Sequence, residues 1–193
     1  MTVPATHERH PTAGPPALVL TPRPYNHPDA WTLVLALHAE QLARYGFADD
    51  PHDSDPAEFA PPGVFLVGYV NGQPVACGGC RLWEATTVEI KRMYLKPAYR
   101  GCGYGRHLLR ALENAARTVG AHRIILETGA RNTGALALYT RAGFQSIPPY
   151  AQARDPRVNR AFAKRLPQVP RSEDGSLPQT AKNGRFANIP VRS

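Results

Sequence analysis

Cysteine is scarce in this chain, three among 193 residues, and the odd number argues against a disulfide framework. No stretch of about 18 apolar residues occurs, so nothing in it reads as a membrane-spanning helix. Met1–Pro16 mixes His, Glu and Arg with Pro and Gly, and no apolar run of signal-peptide length precedes Ala17-Leu18-Val19-Leu20. The expected location is the cytoplasm. Cys77 and Cys80 form a C-x-x-C, but neither a second such pair nor an H-x-x-x-H completes a zinc set. The run from Pro74 to Cys80 reads as a strand, in which positions three apart point to opposite faces. The two thiols should therefore diverge as small buried residues, and no metal is expected.

Acidic residues are also in the minority, 15 against 23 lysines and arginines, for a formal charge of +8. A basic balance invites a nucleic-acid reading. Its distribution weakens that reading: from Ala151 onward nine basic residues face three acids, so most of the excess sits in a terminal segment. Phe186 is the only aromatic residue of positions 168–193, too few for a base-stacking platform. A nucleic-acid partner is not expected, and neither is a membrane.

Both ends mix Pro, Ser, Gly, Asn and charges without periodicity, which predicts disordered tails over residues 1–16 and 167–193 and one domain over 17–166. Within it, Pro28-Asp29 opens a helix, with Asp29 as cap and Trp31, Val34, Leu35, His38, Leu42 and Tyr45 recurring every three or four positions. Asp49–Pro62 is a loop. Val64–Val70 and Pro74–Trp83 flank Asn71-Gly72, a strong hairpin signal. A third strand runs from Thr87 to Leu95. Gly103–Val119 is an amphipathic helix stopped by Gly120. A short strand from Arg123 to Glu127 follows, then a helix capped at Asn132-Thr133, and two last strands near Phe144–Ile147 and Val158–Leu166. This order predicts an α/β domain with a mixed, mostly antiparallel sheet flanked by helices, not a doubly wound one.

Gly101, Gly103 and Gly105 lie between a strand and a helix, where backbone N–H groups and the helix dipole can face an anion. A Walker loop fails, because Gly105 is followed by Arg106-His107 rather than Lys-Ser or Lys-Thr. A Rossmann fingerprint fits poorly, since Arg106 stands where its third glycine belongs and Lys96–Arg100 separate the strand from the glycines. The third option is a diphosphate cradle preceded by a basic residue. Arg100-x-x-Gly103-x-Gly105 resembles the R/Q-x-x-G-x-G/A signature of GNAT acetyltransferases. Asn132-x-x-Ala135-x-x-Leu138-Tyr139-x-x-Ala142-Gly143-Phe144 resembles that family's second block. Cys77-Gly78-Gly79, Glu89–Tyr94, Leu126–Gly129 and Ile147–Tyr150 are similar to segments of its bacterial small-molecule members. The resemblance covers roughly residues 60–166, and the helix at 29–46 fits the family's variable substrate-side region.

The resemblance implies an N-acetyltransferase that uses acetyl-CoA, without a metal, to acylate a primary amine of a small molecule such as an amino acid. It implies a diphosphate cradle at Arg100, Gly101, Cys102, Gly103, Tyr104, Gly105 and Arg106, and an arm paired with the backbone of Met93, Tyr94 and Leu95 beside splayed strands. The Met93 N–H would hold the thioester oxygen as it becomes an oxyanion. Asn132 would contact the arm. Tyr139 matches the family tyrosine beside the thioester sulfur, and a phenol is a suitable donor to a thiolate; its other role is packing.

For the base that takes the amine's proton, Glu89 stands first and Glu127 second, although either could instead pair with Lys91, Arg92 or Arg123. Arg92 could grip a substrate carboxylate or a neighbouring acid. Glu40, Arg44 and Tyr45 lie where the family lines its acceptor pocket. Ala153 and Asn159 depart from the tyrosine and small polar residue frequent in relatives, so the acceptor pocket should differ. Dimers are frequent in the family. Peptide acetylation, a non-catalytic acyl-CoA sensor and a nucleic-acid-binding tail are the competing functions.

Overall fold

The computed structural model describes residues 14–151, 155 and 157–167. The proposed tails thus lie almost wholly outside the described residues, as does Ala153. The elements are β1 (Val19–Pro22), α1 (Pro28–Tyr45), β2 (Val64–Val70), β3 (Gln73–Glu84), β4 (Thr87–Leu95), α2 (Tyr104–Thr118), β5 (Arg123–Gly129), α3 (Thr133–Arg141), β6 (Gln145–Ile147) and β7 (Asn159–Arg165). Two short 3₁₀ turns, Pro51–Asp53 and Pro56–Phe59, break up the expected loop, each entered through an aspartate side chain that accepts a backbone N–H.

The strands form one sheet in the order β1-β2-β3-β4-β5-β7-β6, antiparallel except where β4 lies parallel to β5. Asn71 and Gly72 both take positive φ, 49° and 76°, as a primed two-residue hairpin turn requires. The strand β1 was not expected. It has four residues and ends in proline, a length too short for periodicity to register, and it survives as an edge strand because Gly68 leaves room for Leu18 and Leu20. A second correction concerns α1. Its cap is His27, whose Nδ1 accepts the Asp29 N–H at 3.2 Å, while the Asp29 carboxylate accepts from the Tyr69 hydroxyl at 2.7 Å.

The sheet is the middle of three layers. On one face α2 and α3 bury Leu108, Leu109, Leu112 and Tyr139 against Val88, Ile90, Ile124 and Leu126. On the other, α1 buries Ala30, Leu33 and Val34 with Tyr25, Phe59, Phe65 and Val67. Cys80 belongs to the first face and Cys77 to the second, so the C-x-x-C diverges as its strand spacing requires. Burial pushes both thiols up, that of Cys80 to about 11.

Gly78 and Gly79 sit between these residues with opposite duties. A Cβ on Gly78 would lie 2.9 Å from Met93 Cγ, and one on Gly79 would lie 2.6 Å from both Phe59 and Phe65. The sheet can bring layers this close only where side chains are missing. Gly79→Ala should therefore lower the unfolding free energy by about 1–3 kcal/mol through overpacking, read as a lower urea midpoint at unchanged slope; an unchanged midpoint would mean the aromatic layer is not tightly packed.

Candidate active site

β4 and β5 pair only as far as Ile90 and Leu126. Beyond that point β5 continues along β7, and β4 continues along β3 with a register shift between Cys77 and Gly79. The shift places Arg92 and Met93 opposite Gly78, and Arg92 takes φ 57°, the mark of a bulge in a non-glycine residue. The bulge changes which face each side chain takes. Glu89 and Lys91 turn away from the face where Val88 and Ile90 are buried, whereas past the bulge Met93 and Leu95 return to that face and Tyr94 turns toward α1.

The parting strands open a cavity of about 140 Å³. Glu40, Gln41, Arg44 and Tyr45 of α1 line one side, Glu89–Met93 and Glu127–Gly129 form the strands' edges, and Asn132, Ala135 and Tyr139 close the side of α3. A second cavity of about 100 Å³ adjoins it, sharing Gln41, Tyr45, Asp49, Glu127, Thr128 and Gly129 and adding Phe47, Val158 and Asn159. Seven of the site residues expected from sequence, Glu40, Arg44, Glu89, Arg92, Met93, Asn132 and Tyr139, thus line one opening, and those of the loop before α2 do not.

Tyr139 is buried, and its hydroxyl lies 3.7 Å from Met93 Sδ. Burial raises its pKa well above the ordinary phenol value, so it holds its proton through the neutral range. Its ring also packs against Phe144 and Phe162 at centroid distances of 5.8 and 6.1 Å, so chemical and packing duties coexist. Glu89 is buried and doubly engaged: Arg81 Nε donates to one carboxylate oxygen at 2.7 Å and the Tyr150 hydroxyl to the other at 2.9 Å. The Tyr150 pKa is raised by burial first and by the Glu89 charge second. The alternative partners named for Glu89 were Lys91, Arg92 and Arg123; instead it takes Arg81, and Lys91 lies 3.5 Å from Glu58, which also takes Arg81 at 2.8 Å. Glu127 faces the cavity from β5.

In the loop before α2, Gly101 and Gly103 have φ 82° and 83° and open space where a Cβ would stand. Gly103, the N-cap of α2, has no side chain with which to accept from the first-turn N–H groups of that helix. Gly105 packs toward Leu138 of α3, Cys102 and Arg106 are exposed, and the Tyr104 ring is buried with its hydroxyl donating to the Pro16 carbonyl. Arg100 turns toward α1: its Nε donates to the Leu95 carbonyl at 3.0 Å and it pairs with Glu40 at 2.6 Å. Glu40 also takes Arg44 at 2.7 Å. Asn132 spends its side-chain oxygen as the cap of α3, accepting the Ala135 N–H at 3.3 Å. Arg92 donates to Ser54 Oγ at 2.8 Å and to the Asp50 carbonyl at 3.4 Å, while its buried Nε has no hydrogen-bond partner.

Sequence reasoning missed Gln41, Asp49 and Gly129 as lining residues, and Arg81 and Tyr150 as the partners of Glu89. Gln41 was within reach, being one residue from Glu40 and one turn from Tyr45 on the same helix. Tyr150 was not, since nothing local ties it to a residue 61 positions away. Among the described residues no group of three or more His, Cys, Asp or Glu could hold a metal ion, and no helix is long and apolar enough to cross a membrane.

The sequence profile of the acetyltransferase (GNAT) family matches residues 31–144. An IAA acetyltransferase of Azospirillum brasilense is 36% identical over 105 residues, which span 53% of this chain and 69% of that protein. A Klebsiella pneumoniae protein provisionally assigned as an acyl-CoA N-acyltransferase superposes with a TM-score of 0.65 at 30% identity, over 77% of this chain and 97% of that one. A GNAT family acetyltransferase of Elizabethkingia anophelis, solved with acetyl-CoA bound, shares the fold at a TM-score of 0.56 and 18% identity, over 77% of this chain and 98% of that one. The chain belongs to the GNAT acetyltransferase family, whose members are acyl-CoA-dependent N-acyltransferases.

Proposed function

We propose that this protein moves the acetyl group of acetyl-CoA, in the cytoplasm, to a primary amine of a small molecule such as an amino acid. The observation that carries this reading is the gap between β4 and β5. It brings a buried, protonated Tyr139 and the polar face of α1 to a single cavity, and Arg100 ties the loop that opens α2 to Glu40 on the cavity wall. The loop fits a diphosphate, because the positive φ of Gly101 and Gly103 and the space beside them let main chain approach an anion closely. Gly101–Arg106 supply the N–H donors. Arg100 acts with Glu40 to tie the loop to α1, and the main chain of Met93–Leu95, freed from β5, takes the pantetheine arm. Asn132 borders the arm as it caps α3.

In the reaction the amine nitrogen attacks the thioester carbon, and the carbonyl oxygen gathers negative charge at the Met93 N–H. The C–S bond then breaks, and the Tyr139 hydroxyl donates to the departing sulfur. A phenol held neutral by burial does not give up its proton early; it follows the electron pair onto sulfur as the bond breaks. The proton lost by nitrogen passes to Glu89, directly or through water, and makes good the one given to sulfur. Two donors already bind Glu89, but a carboxylate offers about four acceptor sites, so acceptor capacity remains for the amine. Arg44 and Arg92 stand on the acceptor side, where both line the first cavity.

Thiol release from acetyl-CoA, followed with a panel of amino acids and simple amines, tests the reading. Tyr139→Phe should lower kcat by about 10²–10⁴ while calorimetry shows acetyl-CoA binding intact; full activity in the variant would remove Tyr139 from the mechanism. Binding without turnover of any amine would favour a sensor. Native protein should also react with a chromogenic disulfide at Cys102 alone, because Cys77 and Cys80 are buried with raised pKa values. Acetyl-CoA should slow that reaction; labelling unaffected by saturating acetyl-CoA would displace the cradle from residues 101–106.

A further inference from the structure

Glu89 lines the first cavity but is held from outside it. Each of its oxygens takes one donor: Arg81 Nε reaches Oε2 at 2.7 Å, and the Tyr150 hydroxyl reaches Oε1 at 2.9 Å. Neither Arg81 nor Tyr150 is among the residues that line the cavity. The two donors come from β3 and from the connection after β6, and they meet only at this carboxylate.

Each donor is itself fixed. Arg81 Nη1 lies 2.8 Å from Glu58 Oε2, so its Nε cannot turn from Glu89 without breaking that second pair. The Arg81 guanidinium also lies over the Trp83 ring at 5.3 Å, and Trp83 meets Tyr150 at an interplanar angle of 73°. Burial first and the Glu89 charge second raise the Tyr150 pKa, so the phenol keeps its proton and serves the carboxylate as a donor. Arg81 already supplies the charge that a buried carboxylate needs, and Tyr150 adds none. What the second donor adds is orientation. The terminal torsion of a glutamate is broad and weakly restrained, so a carboxylate held at one oxygen can turn, whereas one held at both cannot.

From this arrangement we infer that Tyr150 and Arg81 are positioning residues of the acetyl transfer, acting through Glu89. Together they stop its carboxylate from turning, which keeps its unused acceptor capacity directed at the amine. The inference deepens the acetyl-transfer reading and rests on it, with Glu89 as the base. In the proton-transfer step the N–H bond breaks, its electron pair stays on nitrogen, and an O–H bond forms at a lone pair that neither donor uses. Both donors stay in place throughout, so no side chain has to move.

Tyr150→Phe removes the hydroxyl and keeps a ring against Trp83. Arg81→Lys keeps the cation but loses the fork that serves Glu58 and Glu89 together. Thiol release from acetyl-CoA is followed for each, with the amino acid or simple amine that the wild type turns over fastest. Tyr150→Phe should lower kcat by about ten- to a hundredfold, the scale of a hydrogen bond to a charged group, while calorimetry shows acetyl-CoA binding unchanged. The deciding readout repeats both substitutions in Glu89→Ala, at raised enzyme concentration. There each should change kcat by no more than about twofold, because the group they act through is already gone. Equal fold losses with and without Glu89 would make the two donors structural supports only and overturn the inference. Full activity in Tyr150→Phe would do the same. Thermal unfolding checks each variant, and if Tyr150→Phe fails to fold, the Arg81→Lys comparison alone decides. Full activity in Glu89→Ala would overturn the base assignment and the inference with it. Wild-type protein that binds acetyl-CoA but acetylates no amine would instead overturn the reading on which both rest.

Discussion

The site depends on the bulge at Arg92. A residue with a Cβ at φ 57° costs about 1–2 kcal/mol relative to ordinary backbone, and such strain persists only where the surroundings over-determine it. Here three hydrogen bonds and one missing side chain do so. Ser54 and Asp50 anchor the Arg92 guanidinium, the Cys77 thiol donates to the Arg92 carbonyl at 3.5 Å, and Gly78 opens the space that Met93 enters. Without the extra residue, β4 would keep its alternation and its register, and Met93 would not meet Tyr139 across the gap. The glycine pair of β3 and the aspartate-capped turns before β2 are thus parts of one device, although they lie far apart in the chain.

From the bulge follows the path through the sheet. A three-layer domain normally separates its two faces completely, because the middle sheet is continuous. Here the ladder between β4 and β5 stops at Ile90 and Leu126, and α1 and α3 come to line the same cavity from opposite faces. A substrate carrying a long flexible arm can enter from the α2 side while an amine approaches from α1. The salt bridges Arg100–Glu40 and Glu40–Arg44 join the loop that opens α2 to the helix that covers the acceptor side. Exposed pairs of this kind add little to stability; their value lies in geometry, since they set the distance between the two halves of the site.

A closed ring of side chains supports Glu89. Arg81 binds its carboxylate and stacks over Trp83 at 5.3 Å; Trp83 meets Tyr150 edge-on at 5.3 Å, and Tyr150 returns to Glu89. Burying a carboxylate among apolar neighbours would be prohibitive without such donors. The ring also fastens the connection after β6 to the β3–β4 pair, so the last part of the fold is held by the residue assigned the base role.

Local chemistry made most of this fold legible. Asn71-Gly72 dictates a primed turn, Gly120 and Gly143 take the positive φ that ends α2 and α3, and the apolar spacing of α2 selects the face it buries. The spacing of the glycine loop, Asn132 and Tyr139 along the chain is itself the motif by which the family is legible. Other features arise only when distant segments meet. Strand β1 exists because an edge and the missing side chain of Gly68 accept it. Arg100 turns to Glu40 rather than outward because α1 packs beside the end of β4. Gln41, Tyr45 and Gly129 come together only where the end of α1 meets β5, and no periodicity records that meeting. Residue spacing decided the elements and the cofactor loop, since their forces act within a few positions. Packing between layers decided the bulge, the gap and the cavities beside it, since those depend on which side chains are absent where two elements come together.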